Sequence, residues 1–135
     1  MNAPFQAQAR SFARESTVAR YLCDLFRDHG LGREHFYAIF LDGERRYLGD
    51  RFVRGEGVAA LQLRAREILA QGLLLEARGL IIAHNHPSGI CRPSHEDLRA
   101  TKKLSEIACA LDIELMDHLI ITRDCVYSIR AGGEL

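Results

Sequence analysis

The stretch Gly79-Leu80-Ile81-Ile82-Ala83, running straight into His84-Asn85-His86-Pro87-Ser88-Gly89, decides how the rest of the chain is read. A short, unbroken apolar run bounded by turn residues is the pattern of a strand buried on both faces. It predicts a central strand that ends where the histidines begin. Side chains alternate along a strand with a period of two, so His84 and His86 aim at one point. Asp97 follows His86 after ten intervening residues, and Pro87, Gly89 and Pro93 in that interval form a loop able to return a helix start to the strand end. Two imidazole nitrogens and one carboxylate oxygen leave a fourth tetrahedral position open, as catalytic zinc sites require.

Outward from this strand, amphipathic helices and short strands alternate. Val18, Tyr21, Leu22, Leu25 and Phe26 fall on one face of a helix from Glu15 to His29, which Gly30 and Gly32 end. Strands are expected over Glu34 to Leu41 and Arg46 to Arg54, joined at the turn residues Asp42-Gly43 as a hairpin. A second helix spans Val58 to Leu75, with Gly72 weakening its last turn. A third begins near Ser94 and is expected to turn Leu98, Thr101, Leu104, Ile107, Ala108 and Leu111 inward. Closing strands follow over Glu114 to Thr122 and Cys125 to Arg130. The alternation predicts an α/β three-layer sandwich, a central mixed β-sheet flanked by helices. Residues 1–14 read as an N-terminal tail and residues 15–135 as a single domain.

Lys plus Arg and Asp plus Glu each number 18, a formal net charge of zero. That argues against a dedicated nucleic-acid binder, although a local basic face leaves nucleic acid open as a partner. Cys23, Cys91, Cys109 and Cys125 are widely spaced, form no C-x-x-C pair and follow no secretory signal pattern, so a reducing cytoplasm is expected. The longest apolar run is far short of the roughly 20 residues that cross a bilayer. No membrane partner is expected.

The pattern His84-x-His86-x10-Asp97, with Ser94 three residues before the aspartate, resembles the JAMM motif of JAB (MPN+) metallopeptidases. The fuller string H-N-H-P-S-G…P-S-x-x-D is similar to the RadC-like branch of that family, in a short form without the helix-hairpin-helix segment that many longer members carry. Glu34 ahead of a strand ending Leu41-Asp42, Arg66-Glu67-Ile68 and Leu115-Met116-Asp117-His118-Leu119-Ile120 fit the same branch. The likeness covers about residues 15–132. It implies one zinc ion per chain on His84, His86 and Asp97, with Glu34 as general base and Ser94 helping to hold a developing oxyanion. It also implies a hydrolase acting on a peptide or protein substrate. In the loop, Ile90, Cys91 and Arg92 depart from the acidic and proline-rich residues common after the glycine.

Structural roles stand beside these. Ser94-x-x-Asp97 before a helical run resembles a capping box, and both roles are compatible. Glu34 also fits a solvated strand-edge acid, and Cys91 an incidental thiol or a metal ligand. Asp117 and His118 are candidates for a hydrogen bond to a ligand imidazole, with packing of the closing strand as the other reading. His29 and His95 read as surface residues. Two further functions remain open. One is a non-catalytic module of a DNA-repair complex, the association carried by the RadC name; the other is a nucleic-acid-processing metalloenzyme. Zinc deaminases, however, need H-x-E with P-C-x-x-C, and the chain has neither.

Overall fold

The apolar run becomes β3 (Gly79–Asn85), buried at all seven positions because it lies third in a five-stranded sheet of order β2-β1-β3-β4-β5. The computed structural model describes residues 17–57 and 65–135 in full, and the helical backbone of 15–16 and 58–64. The expected tail, residues 1–14, and Leu61 of the second helix lie outside that description. The remaining elements are α1 (Glu15–His29), β1 (Phe36–Leu41), β2 (Tyr47–Val53), α2 (Val58–Leu74), α3 (His95–Ala110), β4 (Glu114–Ile121) and β5 (Val126–Ser128). β1 pairs antiparallel with β2 and β3, β3 runs parallel to β4 through the α3 crossover, and β4 pairs antiparallel with β5. The sheet is mixed, as expected.

Alternation along β1 and β3 sorts the core into two clusters, one on each face. Val18, Leu22 and Phe26 of α1 cover Tyr37, Ile39, Leu41, Ile81 and Ala83. On the other face Ile68 and Leu69 of α2, with Ala100, Leu104 and Ala108 of α3, cover Phe36, Ala38, Phe40, Leu80 and Ile82. Helices on both faces make three layers. The same alternation sends His84 to the α3 side, while Asn85 turns toward α1 and the segment that follows it. Gly72 of α2 is also a packing site: a Cβ there would stand 3.2 Å from Ile113 and 3.4 Å from Phe40.

Two expectations are corrected. The first strand starts at Phe36 and not at Glu34, because the His35 N–H turns to the Asn85 side chain and leaves the backbone ladder. The buried row of α3 is Asp97, Ala100, Thr101, Leu104 and Ala108, whereas Ile107 and Leu111 are each 39 % exposed. The helix is rotated so that Asp97 leads the row at helical spacing, which carries the two aliphatic residues off the core face. Ile82→Ala should therefore cost about 2–5 kcal/mol of stability. Ile107→Ala should stay within about 1 kcal/mol, since it empties no core volume. Urea unfolding of the two variants checks the difference.

Candidate metal centre

Three side chains meet where β3 ends and α3 begins. His84 Nε2 lies 2.9 Å from His86 Nε2 and 3.4 Å from Asp97 Oδ1, and His86 Nε2 lies 3.1 Å from Asp97 Oδ2. His84 and Asp97 are buried and His86 is half-buried at the mouth. Among the described residues, these three form the group of histidine, cysteine and acidic side chains able to hold a metal ion. The return of α3 to the strand end is secured by its cap. The Ser94 hydroxyl accepts from the Asp97 N–H at 3.0 Å, while Asp97 Oδ2 accepts from the Ser94 N–H at 2.9 Å. The capping box and the converging carboxylate are one arrangement.

Hydrogen-bond bookkeeping assigns the tautomers. The Thr101 hydroxyl lies 2.6 Å from the Asp97 carbonyl, which can only accept, so Thr101 donates there. Toward His118 Nδ1, also 2.6 Å away, Thr101 must then accept, and Nδ1 carries the hydrogen. His118 is completely buried; that burial, reinforced by the neighbouring His84, holds its pKa well below the usual value and keeps it neutral. Its Nε2 is therefore an acceptor, filled at 2.7 Å by Nδ1–H of His84. On the other ligand, His86 Nδ1 lies 2.9 Å from the Ile90 carbonyl and donates to it. In its neutral form each imidazole is left with an Nε2 lone pair, and the two Nε2 atoms face each other.

Two lone pairs and a carboxylate this close repel unless a positive charge lies among them. The hydrogen bond to Asp97 raises the pKa of His86, against the effect of its burial. For Asp97, burial works upward, but the bonds from His84 and His86 outweigh it and hold the carboxyl well below the ordinary carboxylate range. Ligands about 2.0–2.1 Å from a tetrahedral ion stand roughly 3.3 Å apart. Taking one donor atom from each residue, the three lie within 4.8 Å of one another, close enough to share an ion. The donor set fits a divalent cation.

The remaining candidates fall around this centre. Glu34 lines the same cleft of about 550 Å³ as His86, Ser94 and Asp97. His35 is buried and uses Nδ1 to accept from the Gly55 N–H at 2.8 Å, so it stays apart from the ligands as expected. Of the pair Asp117 and His118, His118 reaches the ligand imidazole. Asp117 instead joins β4 to β5, accepting from Ser128 Oγ at 2.5 Å and the Arg130 N–H at 3.1 Å. His95 is exposed, but His29 is not a plain surface residue, since its ring stacks on Phe52 at 3.9 Å between centroids. Thr101 was outside the sequence-based set, where it appeared only as part of the inner face of the helix. Its spacing of four residues from Asp97 was the available signal.

Cys91 is neither an incidental thiol nor a ligand. It forms a disulfide with Cys125, which joins the loop after His86 to the β4–β5 turn and spans 34 residues. Disulfides persist in oxidising surroundings, so cysteine usage no longer argues for a reducing compartment. No helix among the described residues is long and apolar enough to cross a membrane. The residue before Cys91 supplies the carbonyl that orients His86, so the bridge anchors that carbonyl as well.

Three outcomes are expected. His86→Ala should leave chelator-washed, re-exposed protein with almost no zinc by elemental analysis. Thr101→Val, which breaks the orienting chain without touching a ligand, should weaken zinc binding about 10- to 100-fold in a competition titration against a chromophoric chelator. Replacing Cys91 and Cys125 together by serine should lower unfolding free energy by up to about 4 kcal/mol, the loop-closure value for a loop of this length. Denaturant curves under oxidising conditions measure it.

Comparison with known proteins agrees with the centre. A family model described as the RadC-like JAB domain matches residues 12–134. The chain is 38% identical over 113 residues to a UPF0758 protein of Vibrio vulnificus, covering 84% of this chain and 50% of that one. It is 39% identical over 115 residues to a UPF0758 protein of Photobacterium profundum, covering 85% and 50%. The chain thus spans about half the length of the curated relatives it matches. With nearly the whole chain matched by the family model, and the sheet, helices and His-His-Asp group in place, this protein belongs to the RadC-like JAB domain family.

Proposed function

We propose that the protein is a zinc-dependent hydrolase that cleaves a peptide or isopeptide bond in a protein substrate. The observation that carries this reading is the convergence of two imidazole lone pairs and the Asp97 carboxylate at a cleft that Glu34 also lines. Three protein ligands would leave a fourth position for water or substrate, as a working site needs and a closed structural one lacks. Mixed nitrogen and oxygen ligation suits zinc among the available divalent ions. Held by His84, His86 and Asp97, zinc would supply a Lewis acid and lower the pKa of a water toward about 7.

The chain's own groups do the rest. Glu34 accepts a proton from the attacking water and returns it to the leaving nitrogen. Ser94 spends its oxygen lone pair on the Asp97 N–H but keeps its own hydroxyl hydrogen, which is available to donate to oxygen charge developing in the cleft. His84 and His86 are held in orientation because their Nδ1 hydrogens are bound by His118 and the Ile90 carbonyl. The cleft volume lies within the range of about 300–1,000 Å³ that small-molecule sites occupy, enough for a few residues of extended chain. Zero net charge does not favour a nucleic-acid substrate.

Glu34→Gln should keep its zinc, since the residue is proposed as a base and not as a ligand. Hydrolysis of a peptide library, followed by mass spectrometry, should slow by on the order of 10²-fold or more. Ser94→Ala should cost at most the roughly 2.7–4 kcal/mol of one oxyanion donor, plus about 1 kcal/mol of stability through the lost cap. Wild-type turnover by zinc-replete Glu34→Gln protein would overturn the mechanism.

A further inference from the structure

Glu34 belongs to no helix or strand, and its position needs a cause. Asn85 is fully buried, between the two histidine ligands in sequence but on the opposite face of β3. Its carboxamide grips the chain on both sides of Glu34. Oδ1 accepts from the His35 N–H at 2.7 Å, and Nδ2 donates to the Arg33 carbonyl at 2.9 Å, with the Leu31 carbonyl at 3.5 Å. An asparagine serves here because it offers an acceptor and a donor in one plane. His35 adds a second tie, accepting from the Gly55 N–H.

The side chain of Glu34 then lies across Gly57, the residue that opens α2. A Cβ at Gly57 would stand 1.4 Å from Glu34 Oε1, 2.0 Å from Cδ and 2.2 Å from Cγ. No residue other than glycine leaves that path free. Gly57 is itself buried, so the carboxylate is confined between the β2–α2 connection and the cleft.

We propose that Asn85 and Gly57 are the positioning residues of the site: Asn85 fixes the backbone on either side of Glu34, and Gly57 leaves the space through which its carboxylate reaches the cleft. The catalytic meaning of that placement rests on the hydrolase reading above, whereas the placement itself does not. Neither residue touches a proposed ligand side chain, so both act through Glu34.

Two measurements separate these layers. In uniformly ¹³C,¹⁵N-labelled protein, Gly57→Ala should move the Glu34 carboxyl resonance to a solvent-exposed value. Asn85→Ala should speed amide exchange at His35 by at least about tenfold while the amides of β1 and β3 stay protected. Should Asn85→Ala fail to fold, Gly57→Ala still decides, because the clash it creates falls on a flexible side chain. An unmoved resonance in Gly57→Ala, or in folded Asn85→Ala an unchanged His35 exchange rate, overturns the proposal. The second measurement uses cobalt(II) alone as probe. Wild type, Gly57→Ala, Glu34→Gln and the Gly57→Ala/Glu34→Gln double variant should each bind one ion per chain. Gly57→Ala should reproduce the change in visible spectrum that Glu34→Gln causes, and the double variant should add nothing to it. A wild-type spectrum in Gly57→Ala alongside a changed one in Glu34→Gln overturns the proposal. Resonance and exchange shifts as expected, with Glu34→Gln hydrolysing at the wild-type rate, leave the positioning intact and remove the hydrolase mechanism instead.

Discussion

The hydrogen on the Thr101 hydroxyl has one place to go, the carbonyl of Asp97, and the protonation of the buried histidines follows from it. Because that hydrogen is committed, His118 must donate through Nδ1; because His118 is neutral and its Nε2 accepts, His84 must donate through Nδ1 and turn Nε2 toward His86 and Asp97. The chain of bonds runs from α3 through β4 to β3, so the parallel pairing of β3 with β4 and the crossover helix between them both serve it. A buried imidazole without partners would cost several kcal/mol or change its protonation. Here every ring nitrogen of His118 and the inner nitrogen of His84 is satisfied, and the unsatisfied lone pairs are confined to the one point where a cation fits.

Much of this arrangement is legible in the sequence. The unbroken apolar run Gly79 to Ala83 read as an interior strand of an α/β sheet, and two histidines spaced by one residue at its end would then share a side. Ser94 and Asp97 carried both a cap and a candidate ligand in one spacing. Less was legible where side chains answer to tertiary neighbours. The apolar residues of α3 suggested a stripe through Ile107 and Leu111, but the helix orients on Asp97, whose polar obligations outrank two aliphatic contacts. The Cys91–Cys125 pair was hidden for another reason. Its partners lie in two loops brought side by side by the loop after His86 running along the end of β4, which the His86 N–H to Ile121 carbonyl bond fixes.

Glu34 shows the limit of spacing arguments most clearly. Fifty residues separate it from the first histidine, and no periodicity connects them. The antiparallel register that pairs Phe36 with His84 brings the start of β1 to the end of β3. From there the backbone ladder gives way to the Asn85 side chain, a bond type that sequence patterns do not announce. The asparagine between the histidines looks like a spacer in the one-dimensional motif. In three dimensions the two faces of one strand end hold the two halves of the site, with ligands toward α3 and the acid-bearing segment toward α1.

The shared role of Asp97 has a thermodynamic consequence. Its carboxylate closes the first turn of α3 and also completes the cation-binding group, so ion binding and helix initiation draw on the same side-chain conformation. By linkage, an ion that binds only the closed turn suppresses fraying of α3 by RT ln(1 + [L]/Kd), and any solvent condition that promotes fraying weakens ion binding by the same free energy. The crossover helix that joins the parallel strands would thus be tightened by an ion held at this group. Local stability of the α3 N-terminus would then be a function of metal supply.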